Sequence, residues 1–141
     1  MGRFDIISSK ERSRALQEEN KASQQADINQ LPPGYSHGFD VRMNNEYKVI
    51  ISSGITSVWG QQVSLDTSYT LSDYDFVTLK TGPYMYYIYL TPQGEFKVDR
   101  GAPEINETQK GYCHTVYNWR CIGKLWVSTA GLIVWAHTGA I

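Results

Sequence analysis

The sequence lacks any long apolar run and contains few cysteines. No run approaches the roughly 18 apolar residues that a membrane-spanning helix requires. Residues 1–5 also lack the apolar segment of an export signal. The two cysteines, Cys113 and Cys121, are too few for a disulfide scaffold. They could form one bridge, but without an export signal we expect reduced thiols in a protein made in the cytoplasm and not inserted into a membrane.

Motifs of catalysis and cofactor binding are also missing. The sequence has no Walker or Rossmann glycine pattern, no Cys-x-x-Cys, no His-Glu-x-x-His and no Gly-x-Ser-x-Gly. Its close carboxylate pairs, Asp73 with Asp75 and Glu104 with Glu107, fall in polar stretches where solvated surface charge is the simpler interpretation. We therefore expect neither enzyme activity nor a cofactor.

Cysteine and histidine side chains offer possible zinc ligands, but in an unsuitable pattern. Cys113, His114, Cys121 and His137 could supply thiolate and imidazole groups. Their spacing fits no common zinc template, and strand-borne cysteines and histidines usually serve packing. The formal net charge of −1 likewise provides no overall basic field for nucleic acid or anionic lipid. We expect no metal and no nucleic-acid partner.

The stretch at residues 84–100 dominates what is present. Residues 84–90 are aromatic and aliphatic without charge, a composition typical of a β-strand. Pro92 and Gly94 favour a tight turn, after which Phe96 and Val98 alternate with polar residues. The sequence therefore predicts a hairpin. Because its first strand is apolar on both faces, a second sheet or another copy of the chain must cover the second face.

The rest of the chain after residue 38 also has β character. A length of 141 residues suits one domain with a real core. We expect the following elements: a hairpin over residues 39–54 turning at Asn44-Asn45, short strands at 55–60 and 63–66, a loop at 67–75, a strand at 76–80, a polar excursion at 101–111, and a hairpin over 119–137 turning at 129–131. Many short strands with close turns indicate a small antiparallel β-sandwich or barrel. The loops at 67–75 and 101–111 are candidate recognition loops.

The first 30 residues have a different character. Residues 8–26 favour a helix, but a very polar one that buries little alone and would order against a partner. A frayed, solvated tail is the alternative. Residues 31–38 are rich in proline and glycine and are predicted to be a stiff linker, so that residues 1–30 form a docking arm and residues 39–141 the β domain. The predicted arm contacts lie along or beside an alanine seam: Arg12, Ala15, Leu16, Glu19, Ala22 and Ala26.

Tyrosine and tryptophan are more abundant than one small core requires. The chain has 10 tyrosines and four tryptophans, residue types favoured at subunit interfaces and on sugar-binding faces. Filling the core is the simple interpretation, and burial between identical subunits is the main alternative. The predicted interface residues are Tyr84, Tyr86, Tyr87, Tyr89, Trp119, Trp126 and Trp135.

The order of these segments resembles a small β module of tailed-bacteriophage virion proteins. The matching motifs are Leu31-Pro32-Pro33-Gly34-Tyr35, then Tyr86-Tyr87-Ile88-Tyr89-Leu90 with Gly94, then Arg120-Cys121-Ile122-Gly123 and Gly131-Leu132-Ile133. The resemblance covers residues 31–137, while Cys121, Trp126 and Trp135 are particular to this chain. It implies a homotrimeric knob or short fibre on the tail or capsid, with an N-terminal arm that docks it to other virion proteins.

An apolar strand with an uncovered face and a helix that cannot stand alone both call for partners, which a trimer would supply. We therefore expect a virion protein, a homotrimeric tail adaptor, fibre or knob that contacts the host surface, with a host glycan as a possible partner. One alternative is a capsid decoration or cement protein of the same build. A second alternative is a free carbohydrate-binding module, which would be a monomer with affinity for sugars.

Overall fold

The structure is a computed structural model that describes residue 32 and residues 34–140. The chain divides into two compact units, Met1–Pro32 and Pro33–Ile141, and the second contains all the secondary structure given below. The predicted helix at residues 8–26 and the predicted contacts of the docking arm lie outside the described residues.

The described part of the chain is mainly β, as predicted, and its strands are antiparallel. It contains a single 3₁₀ turn, Asp73–Asp75, and the following strands: β1 (Ser36–Gly38), β2 (Val41–Asn45), β3 (Lys48–Ile51), β4 (Gly54–Val58), β5 (Gln61–Leu65), β6 (Tyr69–Thr70), β7 (Tyr84–Leu90), β8 (Phe96–Asp99), β9 (Glu104–Asn106), β10 (Gly111–Cys113), β11 (Arg120–Val127) and β12 (Ile133–Thr138). None of these elements is a helix able to span a membrane.

The strands form three sheets. Two are small, with the orders β1-β4-β5 and β2-β3-β6. The third has six strands in the order β8-β7-β11-β10-β9, and β12 also pairs with β11. Strand β11 is central to this large sheet because it pairs with β7, β10 and β12. Its pairing with β7 runs from Arg120 opposite Leu90 to Val127 opposite Tyr84.

All three sheets contribute to one hydrophobic core. In the large sheet, alternate residues point inward: Tyr86, Ile88 and Leu90 on β7 and Leu125 and Val127 on β11. The other sheets supply Val49 and Ile51 from β3, Val58 from β4 and Val63 from β5. Strand alternation therefore fixes which face of the large sheet meets the core and which face points away.

Both predicted aromatic hairpins are confirmed. Strands β7 and β8 pair from Leu90 opposite Phe96 to Tyr87 opposite Asp99. The turn between them places Gly94 at φ +87°, a conformation that glycine adopts without strain. Phe96 and Val98 are buried and alternate with the less buried Lys97, as the sequence predicted. Strands β11 and β12 form the last hairpin around residues 129–131.

The predicted turn at Asn44-Asn45 was wrong by two residues. Both asparagines belong to β2, and the turn falls at residues 46 and 47. The Asn45 side chain explains the shift, because its Oδ1 accepts a hydrogen bond of 2.8 Å from the Tyr47 amide and so caps the turn from the end of the strand.

Three other boundaries also differ from the predictions. Residues 76–80 do not form a strand: Phe76 makes one isolated bridge to Val98, and Leu79 is 83% exposed. The predicted loops at 67–75 and 101–111 contain β6 and β9, whose strands of two and three residues are too short for a periodic pattern. Strand β1 lies inside the predicted linker and pairs with β4, so the β domain begins earlier than residue 39.

The start of the β domain is held by side chains as well as by β1. The guanidinium of Arg120 donates to the Gly34 carbonyl over 3.2 Å. The Tyr35 carbonyl accepts from the Thr56 hydroxyl at 2.7 Å and from the Ser57 amide at 3.2 Å. Thr56 and Arg120 are buried, so these bonds fix the entry of the chain into the domain from the core side.

Candidate functional site

The face of the large sheet that points away from the core carries a cluster of aromatic side chains. Trp126 on β11 lies opposite Met85 on β7 and Trp135 on β12, so three neighbouring strands meet at this position. Two residues before Trp126 on β11, Lys124 lies opposite Tyr87 on β7 and His137 on β12. We call this set the outer aromatic face: Met85, Tyr87, Lys124, Trp126, Trp135 and His137.

The local sequence explains why these side chains share one face. On β7 and β11 they alternate with the inward positions Tyr86, Ile88 and Leu125, because successive side chains on a strand point to opposite sides. On β12, Trp135 and His137 flank Ala136, which packs against the core. A register shift between Trp126 and Val127 places Ile133 opposite Val127, so that Ile133 enters the core while Trp135 faces outward.

The outer aromatic face is open within the described part of the chain. His137 is exposed, and its other members are partly buried. The Trp135 and His137 rings lie against each other with centroids 4.8 Å apart. Among the strands of the other sheets, β2 contacts β12: the Val41 amide donates to the Thr138 hydroxyl at 2.8 Å, and the Ile133 amide donates to the Glu46 carbonyl, just beyond β2, at 2.9 Å.

The far end of the same sheet face is covered by the chain itself. Tyr89 lies two residues beyond Tyr87 and is fully buried, with its hydroxyl donating to the Gly101 carbonyl at 2.6 Å. The rings of His114 and Trp119 pack against it, with centroids at 4.9 and 6.1 Å. Residues 114–119 therefore supply the cover that the sequence predicted would come from a second sheet or another copy of the chain.

A histidine fixes the conformation of this covering segment. His114 Nε2 lies 2.7 Å from Asp99 Oδ2, while Nδ1 is 3.0 Å from the Val116 amide and 3.2 Å from the Tyr117 amide. Since amides only donate, Nδ1 must be the acceptor and Nε2 must carry the proton that Asp99 accepts. Both ring nitrogens are engaged, so this His–Asp pair has no free site to take a proton from a substrate.

The two cysteines are free and buried near this covered end. Burial raises the pKa of the Cys121 thiol to about 12, although a hydrogen bond involving the Gly123 backbone opposes the shift. Burial also raises the pKa of Cys113, against the opposing charge of Arg120. Neither thiol is poised as a nucleophile, because the thiolate is the reactive form. Within residues 34–140 no group of cysteine, histidine and carboxylate side chains is arranged to hold a metal ion.

Arg120 is a buried cation held by backbone carbonyls. Its guanidinium donates to Gln109 at 3.3 Å and to Gly34 at 3.2 Å. Burial lowers its pKa, and the neighbouring Cys113 and Cys121 act in the opposite direction. These bonds satisfy a group that would otherwise be costly to bury, so its role here is structural.

The structure brings together only part of the predicted interface set. Tyr87, Trp126 and Trp135 share the outer aromatic face, while Trp119 belongs to the segment 114–119 that covers Tyr89. Tyr84 is 38% exposed at the start of β7, where the Arg100 guanidinium lies 3.4 Å from its ring centroid.

The prediction needs correction for Tyr86 and Tyr89, whose side chains are fully buried within the chain and form no part of its surface. Tyr86 exchanges hydrogen bonds with the backbone of Thr81, and Tyr89 is bound to Gly101. Tyr86 is part of the core, and Tyr89 is buried on the opposite face under His114 and Trp119. Both can be buried because the hydroxyl of each forms a hydrogen bond with the backbone inside the domain.

Sequence reasoning missed three members of the outer aromatic face: Met85, Lys124 and His137. The sequence pattern that could have identified them is strand alternation, because residues two apart on a strand share a face. Each lies two residues from a predicted aromatic on the same strand, Tyr87, Trp126 or Trp135. The register that joins the three strands could not be read from the sequence because it depends on two bulges, one with its extra residue in β11 and one with its extra residue in β12.

Comparisons of this chain with protein families, with curated proteins and with solved structures found no match.

Proposed function

We propose that this chain is a structural protein of a tailed-bacteriophage virion whose β domain assembles as a homotrimer through the outer aromatic face. The observation that carries the proposal is the open cluster of Tyr87, Trp126 and Trp135 on three adjacent strands. Side chains of this kind form the centres of subunit interfaces, where their apolar area is desolvated and their polar tips keep hydrogen bonds.

The available area indicates how the face would be used. A fully buried aromatic side chain removes about 150–250 Å² from water, and each of these three is only about a third exposed or less, so together they contribute about 250 Å² at most. A standard interface buries about 800 Å² on each partner. The outer aromatic face is therefore only the centre of the proposed interface, and the exposed Val134 on β12 lies beside it.

The virion assignment rests on the sequence motifs rather than on the sheet. Within the proposal, residues 1–30 dock the trimer to other virion proteins, as a tail adaptor, fibre or knob that meets the host surface. In the first alternative, a capsid decoration protein, the same arm would clamp capsid subunits and stabilise the head.

Solution mass tests the assembly. Multi-angle light scattering on the full chain is expected to give three times 16.0 kDa. Trp135→Ser and Trp126→Ser should reduce the mass toward that of one chain because each removes a central aromatic from the interface. Tyr74→Ser is the matched control, since Tyr74 is 96% exposed in the 3₁₀ turn. A monomeric native chain, or equal loss of mass in Tyr74→Ser, would overturn the proposed interface.

Docking requires a separate test with particles. A chain lacking residues 1–30 should remain a folded trimer but no longer be recovered with phage particles. Labelling the full chain on particles distinguishes tail from head by electron microscopy, and so separates the adaptor from the decoration protein. Attachment of the truncated chain at the native level would rule out the docking arm.

A further inference from the structure

The outer aromatic face carries an ammonium group for which the described part of its own chain supplies no carboxylate. Lys124 lies between Tyr87 and His137 on three adjacent strands. Asp99, opposite Tyr87 in the same row, is already paired with His114 at 2.7 Å. Lys124 forms no ion pair with another described residue. A surface that covers this face must therefore bring a carboxylate, because burying an unpaired ammonium group is costly.

A threefold assembly requires that the covering surface differ from the outer aromatic face itself. In a cyclic trimer each subunit contacts one neighbour through one surface and the other neighbour through a second. Contact of the face with its own copies would also bring Lys124 side chains together, and like charges across an interface oppose association. The β domain must therefore present a second surface with an exposed apolar side chain and an available carboxylate.

Three of the exposed large apolar side chains have a carboxylate as a sequence neighbour: Tyr47, Tyr74 and Ile105. Both carboxylates beside Tyr74 are engaged within the chain, one by Lys80 at 3.0 Å and the other by the Tyr69 hydroxyl at 2.9 Å. Tyr47 adjoins the start of β12 in its own chain, where the Glu46 carbonyl accepts from the Ile133 amide. It therefore borders the outer aromatic face and is no separate second surface. Neither restriction applies to Ile105.

Ile105 lies on an exposed part of the large sheet. It is 59% exposed on β9, and the register through β10 to β11 turns it to the side away from the core. The exposed Glu104 and Glu107 flank it. The turn after β9 is held by Asn106, whose Oδ1 accepts an amide hydrogen bond of 2.9 Å within the turn. Between residues 34 and 140 neither glutamate forms an ion pair, even with Lys110 in the same turn. We call Glu104, Ile105 and Glu107 the β9 patch.

We propose that the outer aromatic face of one chain contacts the β9 patch of the next chain around the trimer, with Lys124 paired to Glu107. Trp126 and Trp135 pack on Ile105, and the ammonium group meets a carboxylate instead of being buried alone. The two surfaces share no residue, so one chain presents both at once, as a closed ring requires. This contact rests on the proposed trimer and supplies its second surface.

Cross-linking of native trimers tests the contact directly. A carbodiimide joins a lysine ammonium group to a touching carboxylate as an amide, with loss of water. Trimers assembled from unlabelled and heavy-isotope chains, then digested for mass spectrometry, should yield a Lys124–Glu107 link that carries one peptide of each label. Lys48, exposed on β3, is the control and should form no link to Glu107. Cross-linked trimers without the mixed-label link would overturn the proposed contact.

Charge reversal provides a second test, by light scattering over a dilution series. Lys124→Glu should raise the dissociation constant of the trimer by about thirtyfold or more, because like charges then meet at the contact. Glu107→Lys should act in the same way, and the two changes together should restore most of the native affinity. Lys124→Glu with Glu95→Lys is the control of equal net charge, changed at an exposed site away from β9, and should stay dissociated.

The proposed trimer and this contact fail in different ways. A native chain that is monomeric would refute both. A native trimer whose reversed pair stays dissociated, or whose Glu95→Lys control is restored equally, would overturn only the contact with the β9 patch. Recovery in the reversed pair also shows that the Lys124→Glu chain can fold.

Discussion

The two ends of one sheet face differ in how they are covered. At one end, Tyr89 is fully buried beneath His114 and Trp119. At the other, Tyr87 on the same strand is only partly buried, and it lies opposite Lys124 near the two tryptophans of the outer aromatic face. The composition of the strand is similar at both ends. The difference comes from a distant segment, residues 114–119, that folds back over only one of them.

The covered end shows what such a cover requires. Residues 114–119 form no strand, so their backbone amides need other partners. His114 supplies an acceptor for two of them and is itself oriented by Asp99. A buried polar pair therefore positions an irregular segment over an aromatic residue. The open end has no such arrangement within residues 34–140, which is why we propose that a partner subunit covers it.

Replacing the tyrosine at each end of the sheet face by alanine should give the largest difference in stability between the two ends. Tyr89→Ala is expected to lower the free energy of unfolding by about 3–5 kcal/mol, because it leaves a cavity and an unpaired Gly101 carbonyl. Tyr87→Ala should cost about 1 kcal/mol or less, since partly exposed sites tolerate substitution, but should weaken assembly. Urea unfolding at low protein concentration measures the first quantity and light scattering the second. Equal destabilisation by the two variants would refute the distinction between the ends.

The histidines offer a second, smaller contrast. His114→Ala should cost about 1–3 kcal/mol, because it leaves the Asp99 carboxylate and two amides without their partner. His137→Ala on the open end is the control and should change stability by less than about 0.5 kcal/mol. Faster hydrogen exchange at the amides of Val116 and Tyr117 should accompany the first variant only. Retained protection there would show that the histidine does not hold the segment.

Alkaline pH should lower the stability of the covered end, and this is the smallest of the expected effects. Burial raises the pKa of Cys121, which lies opposite Tyr89, from an ordinary value of about 9 to about 12. Between these values the unfolded chain loses the thiol proton and the folded chain retains it, so stability present below pH 9 falls as pH rises toward 12. By pH 10 the loss from this group is about 1 kcal/mol.

Cys121→Ala should remove that part of the pH dependence, as followed by urea unfolding between pH 8 and pH 10. Tyr69→Phe is the control, since the Tyr69 pKa is raised from 10.0 to about 12 and its loss of stability is only beginning near pH 10. An unchanged slope in Cys121→Ala would mean that this thiol is not the titrating group.

Much of the fold could be predicted from the sequence where a segment repeats a pattern. The alternation of Phe96 and Val98 and the turn at Gly94 were enough to locate β8 and its hairpin. Strands of two or three residues, such as β6 and β9, contain too few positions for periodicity.

The candidate sites were predicted less completely because they depend on register and on distant segments. Tryptophan abundance indicated Trp126 and Trp135, but the pairing that joins them to Tyr87 follows from one bulge in β11 and one in β12. No local pattern indicated that His114 would accept from the amides of residues 116 and 117 and pack, with Trp119, on Tyr89.

The attachment of Gly34 and Tyr35 has a mechanical consequence. A pull on the chain from before residue 34 meets the Arg120 guanidinium first and then the three-way junction of Tyr35 with Thr56 and Ser57. These bonds run into β11 and β4 rather than along a peripheral loop. Tension on the N-terminal side is therefore shared between the large sheet and a small sheet, and the register of β1 is protected from peeling until both attachments yield.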